Sequence, residues 1–322
     1  MQPVACPLCH SRSYRAVAQV ADYTEAHQNV ICRGCALVYA NPAPTSEELT
    51  AYYEKQFIQG RHQIATVEEA RERAIRKGSA KKYPIDVFLP FVNASSRVLE
   101  IGCSYGFLLK ALRDATGCSV QGVEPSKVSG MFAEQEFQIP VLHETVEQYL
   151  ARPVDQQYDF IILYQVLEHL KDPVHVLRQL KQRLRPDGRL YVCVPDVMHL
   201  QEPPESFFQV PHMVSFSPWS FYLTLLFAGL KPVLFNRKLR YPKMGMEAVS
   251  VLMESSQDAL PAMIFFCGMS VSRVYWSVTI VGGCYQALRM AKKVVSYLIP
   301  KRIVERLSIR LRMWVRGLRD GK

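Results

Sequence analysis

The stretch Val98-Leu99-Glu100-Ile101-Gly102-Cys103-Ser104-Tyr105-Gly106 constrains this chain more than any other. Apolar residues lead into an acid, and a turn with two glycines follows. Phe107 to Leu112 then reads as the start of a helix. Strand, tight turn and helix N-terminus in that order let backbone approach a nucleotide-like ligand closely. Glycine suits such a turn because it reaches positive φ cheaply and has no Cβ to meet the ligand. A second strand is predicted over 119–124, ending on Glu124, at a spacing suited to a carboxylate that takes both ribose hydroxyls. Further strands are predicted near 139–142, 158–163, 188–194, 230–236 and 247–254, with Arg185-Pro186-Asp187-Gly188 as a turn before 188–194. Helices are predicted at 106–115, 126–137, 172–184 and 218–228. This alternation predicts an α/β fold, a doubly wound seven-stranded mostly parallel sheet. Ligands of such sheets bind beyond the carboxyl ends of the strands, where Glu100, Glu124 and Gln165 fall.

The turn discriminates between cofactors. The G-x-G-x-x-G spacing that seats a pyrophosphate is absent, Ser104 standing where a middle glycine is common, and no basic residue waits for phosphate. Glu100, just ahead of the turn, suits a cation instead. S-adenosylmethionine carries a sulfonium and an ammonium, which a nearby carboxylate attracts.

Glu100-Ile-Gly102-Cys-Ser-Tyr-Gly106, Glu124 and the run from Tyr158 through Gln165-Val-Leu-Glu168-His169-Leu-Lys-Asp172-Pro173 resemble the class I S-adenosylmethionine-dependent methyltransferases, in the branch with an L-E-H signature after the fourth strand. The resemblance covers roughly residues 80 to 255. It implies a Rossmann-like methyltransferase domain with Glu100, Gly102, Ser104 and Gly106 on the methionine side of the cofactor. It also implies Glu124 on the ribose, Thr145 and Val146 at the adenine, and Gln165 at the reacting end. Methyl transfer to a hydroxyl needs a base, and His169 and His212 are the candidates, a neutral imidazole being suited to proton abstraction near pH 7. Quinone-pathway O-methyltransferases that resemble this branch hold a divalent metal on an E-x-x-E-H cluster. Gln165 replaces the first acid here, and an amide is a poorer cation ligand, so no catalytic metal is expected.

Cys6-Pro-Leu-Cys9 and Cys32-Arg-Gly-Cys35 are two C-x-x-C knuckles. Four thiolates so spaced suit a closed, tetrahedral structural Zn2+, and the residues between them read as a small β-ribbon. So short a segment buries little core, so the metal would supply its folding energy. The start of the chain lacks a basic region followed by an apolar core. A cytoplasmic, reducing setting is therefore expected for the nine cysteines, and cysteine pairs are read as metal ligands before disulfides.

The expected organisation is a zinc-binding ribbon over 1–44, lead-in helices over 45–92 with Ser46 capping the first, the methyltransferase domain over 93–255, and a basic amphipathic helical tail over 256–322. Of the net charge of +10, nine units lie between Arg289 and Lys322, where eleven Lys or Arg meet only Glu305 and Asp320. Ile303, Leu307, Leu311, Trp314 and Leu318 recur there at helical spacing. The tail is therefore expected to lie on an anionic membrane surface, at the inner face of the membrane, or to dock on protein. The expected function is methylation, on oxygen or carbon, of a small-molecule, sugar or lipid-linked biosynthetic intermediate. Two alternatives stand beside it. One is an RNA methyltransferase gripping phosphates with ribbon and tail, which the near-neutral catalytic region disfavours. The other is a non-catalytic membrane-associated scaffold of the same fold.

Overall fold

The computed structural model describes residues 3–19, 28–45, 83–200, 212–236 and 245–253, with Glu48, Glu68, Arg71, Glu72, Ile75, Phe207 and Phe208 between them. The C-terminal tail and nearly all of the lead-in helices lie outside the described residues. At Thr45 the chain enters its lead-in with a reciprocal cap. Its N–H donates to Glu48 Oε2 at 2.8 Å, and its Oγ1 accepts from Glu48 N–H at 3.2 Å. Thr45, one residue ahead of Ser46, therefore does the capping.

Three short strands, β1 (Tyr14–Gln19), β2 (Gln28–Cys32) and β3 (Val38–Ala40), form an antiparallel ribbon. A single helical turn, α1 (Ile85–Phe88), leads into the main domain. There β4 (Arg97–Ile101), α2 (Phe107–Thr116), β5 (Ser119–Val123), α3 (Lys127–Phe137), β6 (Val141–Leu142), α4 (Val146–Ala151) and β7 (Tyr158–Tyr164) alternate. A 3-10 turn at Leu167–His169, α5 (Pro173–Lys181), β8 (Leu184–Val194), β9 (Val214–Ser215), α6 (Pro218–Phe227), β10 (Leu230–Asn236) and β11 (Met246–Leu252) complete it.

Seven of these strands make one sheet in the order β10-β11-β8-β7-β4-β5-β6. The five from β6 to β8 run parallel, while β11 runs antiparallel to both its neighbours, β8 and β10. The sheet is therefore mostly parallel and doubly wound, as expected. Phe160 to Leu163 of β7 are fully buried, as a central strand covered on both faces requires. After β4 the chain winds first toward β6 and then back through β7, so the carboxyl ends of β4 and β7 flank the topological switch point. Among the described residues no helix is long and apolar enough to cross a membrane.

The ribbon is not a separate appendage. β3 pairs with β9 from the far end of the domain, giving a second, four-stranded sheet β1-β2-β3-β9. Leu8, Val30, Leu37 and Tyr39 share one apolar cluster with Leu167, Val214 and Phe216.

Arg183 is 2% exposed, and its Nη2 donates to the carbonyls of Arg152 (2.7 Å) and Tyr149 (3.0 Å), capping the end of α4. Its guanidinium also lies 4.4 Å from the centre of the Tyr149 ring. Arg183→Met should strand these buried carbonyls and cost about 2–4 kcal/mol. A urea titration would read this as a lower midpoint at unchanged slope, and an unchanged midpoint would show the cap to be dispensable.

Candidate active site

The turn after β4 carries three left-handed residues in alternation: Gly102 (φ +70°), Ser104 (φ +49°) and Gly106 (φ +72°). Gly106 caps α2, and a Cβ there would stand 2.8 Å from Ala133 Cβ. A Cβ on Gly102 would stand 2.6 Å from Val166 Cγ2, in the segment after β7. Gly102→Ala should therefore combine a backbone penalty of about 1–2 kcal/mol with a steric one. A double-mutant cycle checks this: the substitution should cost less in a Val166→Ala background, and equal costs would mean that Val166 does not press on the turn.

Glu124, at the end of β5, is 9% exposed and ties this turn to its own loop. Oε2 accepts from Ser104 N–H at 2.9 Å, and Oε1 accepts from Ser126 N–H at 2.8 Å. Burial raises its pKa, and the two N–H bonds oppose that rise. Each carboxylate oxygen keeps a second lone pair, so the group can accept two further hydrogen bonds. Glu100, 3% exposed, lies at the end of β4. At Thr145 the hydroxyl is engaged in a reciprocal cap with Gln148, and Val146 is buried. Val146 offers no polar side-chain atom to a base, while the Thr145 hydroxyl, an acceptor in that cap, keeps its O–H to donate. His143 adjoins this region and attracts the Glu124 carboxylate. It carries no motif, and only its place one residue past β6 could have drawn attention to it.

Gln165 follows β7 with φ +59°, another non-glycine left-handed residue at the carboxyl edge of the sheet. Its N–H donates to Cys193 O at 2.9 Å and its Nε2 lies 3.3 Å from Cys193 Sγ. The following 3-10 turn buries Glu168 to 2% exposure and leaves His169 half-buried. His212, distant in sequence, stands over this turn with ring centres 5.0 Å from His169. The two candidate bases are thus neighbours. His212 Nδ1 lies 3.0 Å from Phe207 O. A carbonyl only accepts, so Nδ1 carries the proton and the neutral ring keeps its Nε2 lone pair.

Burial, with His169 nearby, pushes His212 down to about 4, against the weaker pull of the Phe207 carbonyl. Burial alone pushes Glu168 up to about 8, against its own backbone hydrogen bond. The signs are opposite in their effect on folding. Unfolded His212 takes a proton at 6.5 while the native ring stays neutral down to about 4, so stability falls as pH drops through that window. Unfolded Glu168 releases its proton at 4.5 while the native group keeps it to about 8, so stability falls as pH rises through that window. Urea midpoints measured against pH should lose the acid-side slope in His212→Gln and the neutral-side slope in Glu168→Gln. Parallel curves for all three proteins would refute the assignment.

One carboxylate and two imidazoles, from Glu168, His169 and His212, place their ligand atoms within 4.8 Å of one another. The expectation of no catalytic metal weighed only positions 165, 168 and 169. The fold adds His212 as a donor that no local spacing reveals.

At the other end of the chain the sulfurs of Cys6, Cys9, Cys32 and Cys35 also lie within 4.8 Å of one another. Cys6 Sγ is 3.5 Å from Cys35 Sγ and Cys9 Sγ is 3.4 Å from Cys32 Sγ, none of them joined in a disulfide. A tetrahedron of thiolates around zinc has edges of about 3.8 Å. The knuckles match in detail. His10 and Ala36, each following the second cysteine of its pair, have φ of +59° and +60°, and Gly34 N–H points at Cys32 Sγ at 3.3 Å.

Residues 68–229 match the family model described as a methyltransferase domain. The chain belongs to that family. Among curated proteins it is 33% identical over 100 residues to the ubiquinone biosynthesis O-methyltransferase of Salmonella paratyphi A, a match covering 30% of this chain and 40% of the relative. It is 34% identical over 101 residues to the protein of the same name in Aeromonas salmonicida, covering 30% and 42%. The chain thus spans about two fifths of the length of the curated relatives it matches. Among solved structures, the CcbJ methyltransferase of Streptomyces caelestis is similar at 15% identity, with a TM-score of 0.44 over 52% of this chain and 87% of that one.

Proposed function

We propose that this methyltransferase-family chain transfers the methyl group of S-adenosylmethionine to a hydroxyl of a small-molecule or lipid-linked biosynthetic intermediate. One observation carries the reading most: a buried carboxylate, Glu124, bonded across to the glycine turn at Ser104 and still able to accept from a diol. Glu100 beside the turn favours a cationic ligand, and the name of the curated relatives favours oxygen as the acceptor atom.

When bound, the cofactor supplies a methyl group on a sulfonium, and the chain supplies orientation and a proton acceptor. Gly102, Ser104 and Gly106 would cradle its amino-acid end, and Glu124 would hold the ribose. The backbone of Thr145 and Val146 would flank the adenine, and Gln165 would face the reacting end. His212 Nε2 would take the acceptor's hydroxyl proton, its tautomer set by Phe207 O, with His169 beside it. A methyl-donor consumption assay against phenolic, sugar and lipid-linked hydroxyl acceptors tests this. Turnover of none of them, by protein that binds the donor, would remove the O-methylation reading.

A second reading of the histidine side rests on Glu168 Oε2, buried without a hydrogen-bond partner beside two imidazoles. That donor set fits a divalent cation, which Glu168, His169 and His212 would hold, supplying Lewis-acid activation of the acceptor oxygen. Protein with its thiolate site loaded, titrated with Mg2+ or Mn2+, separates the two. A rise in melting temperature that Glu168→Gln abolishes supports the cation, and no rise leaves His212 as the base.

The four cysteines are proposed to hold one structural Zn2+. The domain boundaries stated above, the membrane role of the tail and the cytoplasmic setting at the inner membrane face are likewise proposals.

A further inference from the structure

We propose that the four-cysteine ribbon is a positioning element of the acceptor side: metal on the sulfurs holds the strand against which the His212 segment is registered. This rests on reading the cysteines as a zinc site and residues 212–216 as part of the acceptor wall.

The connection is continuous through named bonds. Cys32 N–H donates to Leu37 O at 2.9 Å and Ala36 N–H to Cys32 O at 3.1 Å, so the second knuckle runs directly into β3. β3 then pairs Val38 with Ser215 and Tyr39 with Val214, and Ala40 N–H donates to Met213 O at 3.0 Å. That last bond lies one residue from His212. On its other side the segment is held at Phe216, which bridges Asp196 and accepts from Val197 N–H at 2.9 Å. Residues 213–216 are therefore strung between the ribbon and the loop after β8.

Tyr39 couples the two ends. Its backbone pairs with Val214, and its side chain, 1% exposed, lies in the same apolar cluster as Cys6, Cys32 and Cys35. Even packed on the domain, so small a ribbon draws part of its order from occupancy of the sulfurs. The cofactor side depends on none of these bonds. Gly102, Ser104 and Glu124 are fixed by β4, β5 and each other.

Metal removal should thus loosen the His212 side and leave the cofactor side intact. The test compares three full-length samples by hydrogen exchange and by calorimetry with S-adenosylhomocysteine: metal-loaded, chelator-stripped, and Ala40→Pro. The last keeps all four cysteines and removes the ladder N–H to Met213 O. Expected in both altered samples are at least about tenfold faster amide exchange across 213–216, unchanged protection across 98–101 and 120–124, and product affinity within about twofold. The His212 ring resonances should move in both, and Ala40→Pro should retain its metal. Stripped protein with full protection at 213–216 would overturn the coupling, and so would global loss of protection together with product binding. Zinc-grown protein that purifies without stoichiometric metal would overturn the zinc reading itself, a result distinct from either. Should Ala40→Pro fail to fold, the stripped sample decides alone.

Discussion

Glu124→Ala is expected to abolish measurable cofactor binding while leaving the fold intact. The carboxylate contributes through two routes. It would accept both ribose hydroxyls, and hydrogen bonds to a charged group contribute about 1.5–3 kcal/mol each. It also accepts the N–H groups of Ser104 and Ser126, which fixes the turn at the left-handed Ser104. Losing the diol contacts alone predicts an affinity loss of roughly 100-fold or more. Calorimetry with S-adenosylhomocysteine reads the loss, and circular dichroism guards against unfolding. Glu124→Gln should fall between, because an amide can still accept at one oxygen. Wild-type affinity in the alanine variant would remove the central support for the proposed function.

The second large effect is expected at His212. His212→Ala should lower turnover about 10²- to 10⁴-fold, the range ascribed to a positioned general base, with cofactor affinity unchanged. The accompanying pH profile is informative. Because burial holds the ring's pKa near 4, the base stays competent down to about pH 5, well below where a solvent-exposed imidazole would be protonated. Activity that falls away already between pH 7 and 6 would show that a different group accepts the proton. Restoration of the variant by divalent cations would favour the cation reading over the base.

The catalytic half of the fold was legible because its signals are local. The apolar run leading into Gly102 is the strand Arg97–Ile101, and the strand predicted over 230–236 matches the structure end to end. The first is a short apolar run, buried on both faces and bounded by Gly102. The Gly102–Gly106 turn and Glu124 follow from the same logic, since a strand end, a left-handed turn and an acid at the next strand end are all contiguous or nearly so. Long-range placement was not legible. Arg185-Pro186-Asp187-Gly188 reads as a turn before a strand. In the structure Leu184 already pairs with Tyr158, and the four residues loop out before Arg189 rejoins opposite Phe160. β9 has two residues and no period to detect, and its partner β3 lies near the other end of the described chain. The meeting of His169 with His212, and the share both take with Glu168 in one donor cluster, depend on that pairing and not on any spacing.

The antiparallel strand β11 has a consequence for how the molecule is made. It fills the slot between β8 and β10, although it emerges from the ribosome after both. Until Leu252 has left the exit tunnel, nascent β8 exposes a row of unsatisfied backbone groups along the middle of the future sheet. The portion from β4 to β6 has all of its strand partners once β7 (Tyr158–Tyr164) has been made. It can therefore mature first, and chains arrested between residues 195 and 245 are expected to be the aggregation-prone species, a prediction open to pulse-labelled ribosome-bound intermediates.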